Sequence, residues 1–426
     1  MIRDELERLS KEELIELVLR LQRPDKTSRT SSKPPSTDRK ERRENAKPGG
    51  AKPGHEGHKR ELCADPDEIR DHVPTHCEHC GCAFEDGAPA ELIGEFDEIE
   101  IPPVRPFVRR HRRFAIRCAC CGGATKAAAP PVAQETPFGP RIHALAIYLK
   151  SLQALSYERL QRLFDDLFGL TVSQGALMNM FARTAPAFEE KRGQALAALR
   201  QANCVASDET GVRIEGVNAY HWVFRCKAAV VHKAAFTRSA EVVRETMDGA
   251  RPKVWTSDRY SAQQNHAEAQ QTCLAHLARD TAYGMEASDD YVVLRLKLWF
   301  DAVFAFAKRM AEFAESTVRS KRRALERQIA DILLTQTDCP IAQELLAKIA
   351  RARDQLLTFC DHPGEVEPTN NDCERALRPA VIQRKVTNGF RAKWAADHDA
   401  AVRTTLDTAR LNGAEPFGTI LQTITP

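Results

Sequence analysis

The chain lacks long apolar runs, and it has little net charge for its length. No stretch reaches the roughly 18 uninterrupted apolar residues that a membrane-spanning helix needs, and the opening Met-Ile-Arg-Asp-Glu-Leu-Glu-Arg has no apolar segment of a secretory signal. The formal net charge is only +3 over 426 residues, so total charge alone does not indicate a nucleic-acid partner. We therefore expect a cytoplasmic protein without a membrane anchor.

A disulfide framework is also unexpected. The 13 cysteines are odd in number, and the cytoplasm keeps thiols reduced. Because 426 residues exceed what one compact core organises, we expect two or more domains joined by linkers. The distinctive features of the sequence are the positions of its cysteines, arginines and acidic residues.

Two cysteine pairs of matching spacing predict a zinc site. A Cys-Glu-His-Cys segment at residues 77–80 precedes one glycine, and a Cys-Ala-Cys-Cys segment at residues 118–121 precedes two. This spacing is typical of a four-cysteine zinc ribbon that holds one structural Zn²⁺ tetrahedrally. The predicted ligands are Cys77, Cys80, Cys118 and Cys121. Cys82 and Cys120 are less well spaced, and the competing interpretation is a set of reduced cysteines without metal.

An arginine-rich segment lies between the two cysteine pairs. Residues 102–117 alternate apolar or aromatic with basic side chains, and no acid occurs from Arg105 to Arg117. We predict a strand whose cationic face contacts DNA phosphates, which provide affinity more than sequence recognition. A charged, solvated strand edge is the alternative. The predicted DNA-binding residues of this segment are Arg109, Arg110, Arg112 and Arg113.

Three acids in unusually polar contexts predict the functional site. Asp208 in Ala-Ser-Asp-Glu-Thr-Gly and Asp258 in Trp-Thr-Ser-Asp-Arg-Tyr each follow a short apolar run, so we expect each at the end of a strand. Residues 218–227 and 228–236 are rich in β-branched and aromatic side chains and predict two strands, and residues 241–248 predict a helix. The resulting order β-β-β-α-β is the layout of an RNase H-like nuclease core, within an α/β fold.

The third acid is Glu374, in Pro-Thr-Asn-Asn-Asp-Cys-Glu-Arg-Ala-Leu-Arg-Pro. We predict a helix that begins after an N-cap at Thr369 and has no breaker before Pro379. Arg378, four residues after Glu374, would lie on the same face and orient its carboxylate or meet a phosphate.

Carboxylates gathered without a cation repel each other, so the three acids predict a divalent metal site. Two Mg²⁺ or Mn²⁺ ions would suit such oxygen ligands and would support phosphoryl transfer on DNA. A single aspartate after a strand is more often a turn or cap residue, and Glu374 alone could be a surface carboxylate. Glu209 and Asp280 are further candidate ligands, ranked lower as cap or salt-bridge residues.

Long motifs support a family resemblance. Asp-Glu-Thr-Gly at residue 208, Ser-Asp-Arg-Tyr at 257, Cys-Leu-Ala-His at 273, and Pro-Thr-Asn-Asn-x-x-Glu-Arg-x-Leu-Arg-Pro-x-Val-Ile-x-Arg-Lys at 368 resemble the TnpC-type transposases of the insertion-sequence-66 family. Ser-Ser-Lys-Pro-Pro-Ser at 31–36 is also similar. The Cys-x-x-His element at Cys273 and His276 occurs after the second acid in several transposase families, without a clear role here.

The resemblance implies a DDE-type DNA transposase, with Asp208, Asp258 and Glu374 as its catalytic, Mg²⁺-binding acids. It would place Arg378, Arg384 and Lys385 on DNA phosphates. The implied partners are the terminal inverted repeats of a mobile element, target DNA, further copies of the chain in a synaptic complex, and accessory proteins encoded by the element. The implied location is the nucleoid of a bacterial cytoplasm. A non-recombining nuclease and a domesticated zinc-ribbon DNA-binding protein are the alternatives.

The remaining segments are predicted mainly from helical periodicity. Residues 141–155, 157–168 and 174–185 predict three helices, with Ser173 as an N-cap. They form either a helix-turn-helix that reads the terminal repeat or a support for the catalytic core. Helices are also predicted at 291–315, 318–334 and 341–359, where the aromatic residues and Met310 should be core.

These patterns predict seven segments. They are an N-terminal helix that can form a coiled coil (1–22), a basic linker that is disordered without DNA (23–62), a zinc-ribbon DNA-binding module (63–130), a helical, helix-turn-helix-like domain (131–200), the first part of an RNase H-like core (201–287), an α-helical insertion (288–360), and the completion of the core with the third acid and C-terminal helices (361–426).

Overall fold

The computed structural model divides the chain into two units. Its described residues are 10–21, 23–31, 50–51, 54–57, 60–128 and 136–425. Residues 1–9 of the predicted N-terminal helix, much of the predicted basic linker with most of its Ser-Ser-Lys-Pro-Pro-Ser motif, and residues 129–135 lie outside this set. One unit is Lys40–Phe107, and the other joins Met1–Arg39 to Val108–Pro426. No helix in the described ranges is long and apolar enough to cross a membrane.

The smaller unit has little regular structure. Its described residues form no helix and one isolated β-bridge, between His76 and Ala83, which closes the turn that carries Cys77 and Cys80.

The larger unit begins with helix α1 (Lys11–Leu21) and a short antiparallel hairpin, β1 (Ala115–Arg117) with β2 (Ala124–Lys126). The strand predicted over residues 102–117 is therefore wrong for residues 102–114, which form no regular element. A strand needs a hydrogen-bonding neighbour, and only the last three residues find one, in β2.

Three helices precede the main sheet: α2 (Pro140–Ser151), α3 (Tyr157–Phe168) and α4 (Gln174–Arg200). Ser173 is confirmed as an N-cap, because its Oγ accepts the backbone N–H of Ala176 at 3.1 Å. The predicted end of the third helix at residue 185 is wrong: α4 continues through Pro186. Buried Phe188 and Leu199 extend its packing face past the proline, so tertiary contacts outweigh the local cost of the break.

A five-stranded mixed sheet forms the centre of this unit. Its strands are β3 (Cys204–Ile214), β4 (Val217–Arg225), β5 (Val230–Ala235), β6 (Val254–Ser257) and β7 (Ala269–Thr272). The order across the sheet is β5-β4-β3-β6-β7, with β3, β4 and β5 antiparallel and with β6 and β7 parallel to β3. Helix α5 (Ala240–Met247) connects β5 to β6. The predicted order of three strands, a helix and a strand is confirmed.

A helical layer of four α-helices follows the sheet, and periodicity predicted the last three of them. The predicted end of the third at residue 359 is wrong, because that helix ends at Arg351. The layer contains α6 (Leu274–Ala287), α7 (Tyr291–Arg309), α8 (Glu315–Leu333) and α9 (Pro340–Arg351). Trp299, Phe300 and Met310 lie in its buried core, which confirms their predicted structural role. Since the layer occupies the chain between Asp258 and Glu374, it keeps the two acids distant in sequence.

The chain ends in α10 (Asn371–Thr387), α11 (Lys393–Leu411) and α12 (Pro416–Ile424). Helix α11 lies against the edge strand β5, where the backbone N–H groups of Val230 and His232 donate to Thr408 Oγ1 at 3.0 Å and Thr404 Oγ1 at 2.8 Å. Buried Arg403 pairs with Asp399 on α11 at 2.7 Å and also donates to Gln383 on α10. This polar contact fixes α10, the helix that carries Glu374, against α11.

Candidate functional site

Each cysteine pair lies in a turn that backbone hydrogen bonds hold together. In the first, Gly81 N–H donates to the Cys77 carbonyl at 2.8 Å, and Cys77 N–H donates to the Cys82 carbonyl at 2.9 Å. In the second, Gly122 N–H donates to the Cys118 carbonyl at 2.9 Å. The first pair belongs to the smaller unit and the second to the larger one, so the four-cysteine zinc site stays a prediction.

The arginines predicted to bind DNA are exposed, apart from their local contacts. Arg113 donates to the Ala127 carbonyl at 2.7 and 3.0 Å, and the Arg112 guanidinium lies 5.3 Å from the centre of the Phe114 ring. Arg109 and Arg110 lie in the irregular segment before β1. Their phosphate contacts also stay a prediction.

The two aspartates lie on neighbouring strands at one end of their parallel pairing. Asp258 directly follows β6, as predicted. We expected Asp208 at the end of its strand, and this prediction is wrong. Strand β3 continues to Ile214, and Asp208 faces Val223 across the β3–β4 ladder. Only the parallel pairing with β6 stops, after Ala206 pairs with Thr256. Two residues further in that register, Asp208 stands beside Asp258.

The loop before α10 brings Glu374 to these aspartates, and Asn370 is its main anchor. Asn370 is 2% exposed. Its backbone N–H donates to Cys273 Sγ at 3.1 Å, and its side-chain amide donates to the Ser207 carbonyl, next to Asp208, at 2.7 Å. Its own carbonyl accepts the N–H of Glu374 at 3.2 Å.

Asn370, not Thr369, therefore stands at the N-cap, and its side chain does not cap the helix. Pro379 lies inside α10 and does not end it. The predicted Thr369 cap is wrong because the amide at the next position serves a contact across the fold, to β3, rather than a local one.

The electrostatics of Asp208 show that the acids form one cluster. Burial, together with the negative charges of Glu209, Asp258 and Glu374, raises the pKa of Asp208 to about 8. The hydrogen bond that Asp208 Oδ1 accepts from Glu209 N–H, at 2.9 Å, opposes this increase. The fold thus brings several carboxyl groups together around the buried Asp208 side chain.

Glu374 meets basic side chains from α6. Arg279 Nη2 lies 3.3 Å from Glu374 Oε1, and His276 Nε2 lies 3.9 Å from the same oxygen. Burial lowers the pKa of His276, and the charge of Arg279 lowers it further. Arg378 is exposed, and among the described residues it makes no ion pair with Glu374. Arg279 thus occupies the place beside the carboxylate that the helical spacing suggested for Arg378.

Glu209 is a buried acid with a structural set of partners. Its side chain is 1% exposed and pairs with Arg238, while Gln263 donates to its other oxygen. Burial raises the pKa of Glu209, although Arg238 partly opposes the effect. Arg238 also stacks 3.8 Å from the Tyr260 ring centre, and Tyr260 N–H donates to Asp258 Oδ1 at 2.8 Å. Glu209 therefore supports the loop that carries Asp258.

Three other predicted residues take separate positions. Arg384 is half-buried and donates to the Gly211 carbonyl, which ties α10 to β3. Lys385 is exposed on the same helix. Asp280 pairs with Lys348 at 3.2 Å, in agreement with its lower ranking as a salt-bridge residue. Phosphate contacts by Arg378, Arg384 and Lys385 stay predictions.

The donor chemistry of the cluster fits a hard divalent cation. Asp208, Asp258 and Glu374 offer carboxylate oxygens, which Mg²⁺ prefers, and a bound cation would offset the repulsion that raises the pKa of Asp208.

Sequence reasoning missed three residues that shape this site: Asn370, Arg279 and Arg238. Asn370 had a signal in the Asn-Asn that precedes α10, and Arg279 follows His276 by one helical turn. Arg238 lies in a connecting segment with no such pattern.

Comparison with models of known protein families identifies a related family. A family model described as "Transposase IS66 family" matches residues 135–398, a range that contains the sheet, the helical layer and all three acids. No curated protein matches the chain.

Proposed function

Because the chain belongs to the IS66 family of transposases, we propose that it is a DDE transposase that cuts the ends of an insertion sequence and joins them to target DNA. The observation that supports this mechanism best is the meeting of Asp208, Asp258 and Glu374 in one electrostatic cluster. The strand order and the crossover helix support an RNase H-like core.

In this proposal Asp208 and Asp258 hold two Mg²⁺ or Mn²⁺ ions, and Glu374 completes the shell of one. When bound, the ions would act as Lewis acids toward the attacking and leaving oxygens. The N–H of Tyr260 orients Asp258, and Arg279 with His276 fixes the Glu374 carboxylate. These contacts hold the ligands on rigid elements before DNA arrives.

The reaction would have two steps and no covalent protein intermediate. Water first attacks a phosphodiester at the end of the element and leaves a 3′-OH. That hydroxyl then attacks a phosphodiester of the target, so one bond forms as another breaks. Arg378, Arg384 and Lys385 would hold phosphates beside the acids, and a guanidinium that already makes one contact, like that of Arg384, has further donors.

The remaining segments would supply DNA affinity and assembly. Arg109, Arg110, Arg112 and Arg113 suit the phosphates of terminal inverted repeats and target DNA, beside a zinc ribbon built on Cys77, Cys80, Cys118 and Cys121. A homo-oligomer would synapse two ends, with accessory proteins encoded by the element, in the nucleoid of a bacterial cytoplasm.

A Mg²⁺-dependent cleavage and joining assay tests the proposal, on DNA that carries the terminal repeats flanking the gene. We expect Asp208→Asn, Asp258→Asn and Glu374→Gln each to abolish joined products. Asp301→Asn is the matched control, because Asp301 is an exposed acid paired with Lys297 on α7, and it should react like the wild type.

The other outcomes distinguish the alternative functions. Cleavage without joining would favour a non-recombining nuclease. Zinc-dependent DNA binding without chemistry, even when accessory proteins are present, would favour a domesticated DNA-binding protein. Equal activity in all four variants would refute the assignment of the acids.

A further inference from the structure

In the proposed two-ion chemistry Cys273 has no role, and His276, in the Cys-x-x-His element at the start of α6, acts only through its contact with Glu374. The structure places Cys273 at the N-cap of α6 and His276 one turn later, and both side chains meet Glu374 from α10. A ligand atom of each residue, the thiol sulfur, a ring nitrogen and a carboxylate oxygen, lies within 4.8 Å of the other two. Three ligand types from two separate helices thus converge on one point.

The donor set differs from that of the acid cluster. Thiolate and imidazole are soft or borderline ligands that select zinc-class ions, whereas Mg²⁺ prefers oxygen alone. Metal–ligand bonds of about 2.0–2.3 Å put the donors of a tetrahedral site about 3.5 Å apart. The observed separations therefore need a movement of about 1 Å, which the half-exposed Glu374 side chain can supply.

A second observation at the same place also indicates a missing ligand. His276 Nδ1 is buried and has no hydrogen-bond partner among the described residues. A buried polar atom without a partner is unfavourable, and an ion coordinated by this nitrogen would supply the partner. On the sulfur side, burial raises the pKa of the Cys273 thiol, and the N–H of Asn370, 3.1 Å from Cys273 Sγ, partly opposes this effect. A bound cation would favour the thiolate further.

One contact opposes a cation at this point. Arg279 lies 3.3 Å from Glu374 Oε1, so the carboxylate must turn from Arg279 toward His276 and Cys273 to complete the set. A carboxylate oxygen of Glu374 that binds such an ion is no longer free for the Mg²⁺ ions.

We propose that Cys273, His276 and Glu374 form a binding site for a transition-metal ion of the zinc class, and that its occupation withdraws Glu374 from the Mg²⁺ ligands and inhibits the enzyme. Binding releases the thiol proton of Cys273 to solvent and changes no other bond. The inhibitory part rests on the proposed catalytic role of Glu374, whereas the metal site itself does not.

Cobalt absorption tests the site without any activity measurement. Full-length protein that holds one Zn²⁺ per chain, which the four-cysteine ribbon takes in preference to a three-ligand site, is titrated with Co²⁺. The sulfur-to-cobalt charge-transfer band is measured for the wild type, Cys273→Ser, His276→Gln and Cys204→Ser. Cys204 is the matched control thiol, since it also lies within 4.8 Å of a histidine and a glutamate, His362 and Glu365. The predicted ribbon cysteines are common to all four proteins and cancel in the comparison.

We expect the band in the wild type and Cys204→Ser, its absence in Cys273→Ser, and a cobalt affinity about tenfold or more lower in His276→Gln. Equal spectra for the wild type and Cys273→Ser would overturn the site, as would a band that depends on Cys204. His276→Gln keeps the test decisive where Cys273→Ser does not fold.

A Zn²⁺ titration of Mg²⁺-supported cleavage then tests inhibition, with each protein normalised to its own zinc-free rate. The zinc concentration for half inhibition should rise about tenfold or more in His276→Gln. A cobalt band without zinc inhibition would overturn the inhibitory part; Glu374→Gln in the same assay then shows whether Glu374 takes part in the reaction. Loss of activity in Glu374→Gln without any cobalt band would overturn this inference and leave the proposed function intact.

Discussion

Replacing Asp208 with asparagine should make the metal-free protein more stable at alkaline pH, although it should abolish activity. The ordinary pKa of the carboxyl is 3.8, and the fold raises it to about 8. Between these values the unfolded chain is ionised at Asp208 and the folded chain is protonated. The folded state then binds more protons, so the free energy of unfolding falls as pH rises through this range.

The size of the effect follows from the same values. A pKa increase from 3.8 to about 8 corresponds to about 6 kcal/mol at most, at 1.36 kcal/mol per pH unit. Because water and nearby side chains can rearrange around a charged Asp208, we expect about 2–4 kcal/mol. Asparagine stays neutral at every pH and keeps an oxygen for the Glu209 N–H, which Asp208 Oδ1 accepts at 2.9 Å.

Urea unfolding in Mg²⁺-free buffer, followed by tryptophan fluorescence, would measure this difference. The four tryptophans of the chain are residues 222, 255, 299 and 394, so the signal reports on the larger unit. Wild type and Asp208→Asn should differ least near pH 4, and the variant should be about 2–4 kcal/mol more stable at pH 8.5. Added Mg²⁺ should stabilise only the wild type at pH 8.5. Parallel pH profiles of the two proteins would refute the reasoning, because all other titrating groups are shared.

Three further predictions concern the buried acid Glu209, the glycine that follows α10, and the predicted zinc ribbon. Glu209→Ala should lower the free energy of unfolding by about 2–3 kcal/mol, since it leaves Arg238 and Gln263 without their partner; Glu241→Ala, which removes an exposed pair with Arg244, should cost less than about 0.5 kcal/mol. Gly389→Ala should cost about 2–4 kcal/mol in urea unfolding, because its backbone has φ +103° and a Cβ would lie 2.2 Å from the Arg213 carbonyl oxygen. Gly413→Ala, at φ +78° with open space around it, should cost only about 1 kcal/mol, and equal losses would contradict the steric argument. Cys77→Ser should lower bound zinc by about one ion per chain in metal analysis and leave the tryptophan-monitored unfolding unchanged; an unchanged zinc content in this variant would argue against the predicted ribbon.

Local patterns were enough to predict much of the fold, because the strands and helices of the larger unit follow their own hydrophobic periods. Examples are the helix at Tyr157–Phe168 and the last three of the four helices between Asp258 and Glu374, which are α7, α8 and α9. Secondary-structure predictions were wrong where contacts with another part of the chain, or the lack of them, determined the local structure. Residues 102–114 alternate like a strand but have no neighbouring strand, and α4 passes Pro186 because Phe188 and Leu199 remain buried beyond it.

In the candidate site, too, the sequence predicted local features but not contacts between distant residues. The positions of the three acids along the chain were visible as motifs, but the contacts that hold them are between residues far apart. Asn370 reaches Ser207 across 163 residues, and Arg279 reaches Glu374 across 95. Single-sequence spacing favoured Arg378 instead, because only helical neighbours can be inferred from it.

The threonines of α11 also limit the pairing of β5 with strands of other polypeptides. Strand β5 ends the sheet, and a bare edge of this kind is a template for pairing with another polypeptide and for aggregation. Thr404 and Thr408 accept the N–H groups of His232 and Val230, so α11 already occupies hydrogen-bonding positions that an added strand would use. A chain truncated before α11 would lose this protection and have an open β-edge.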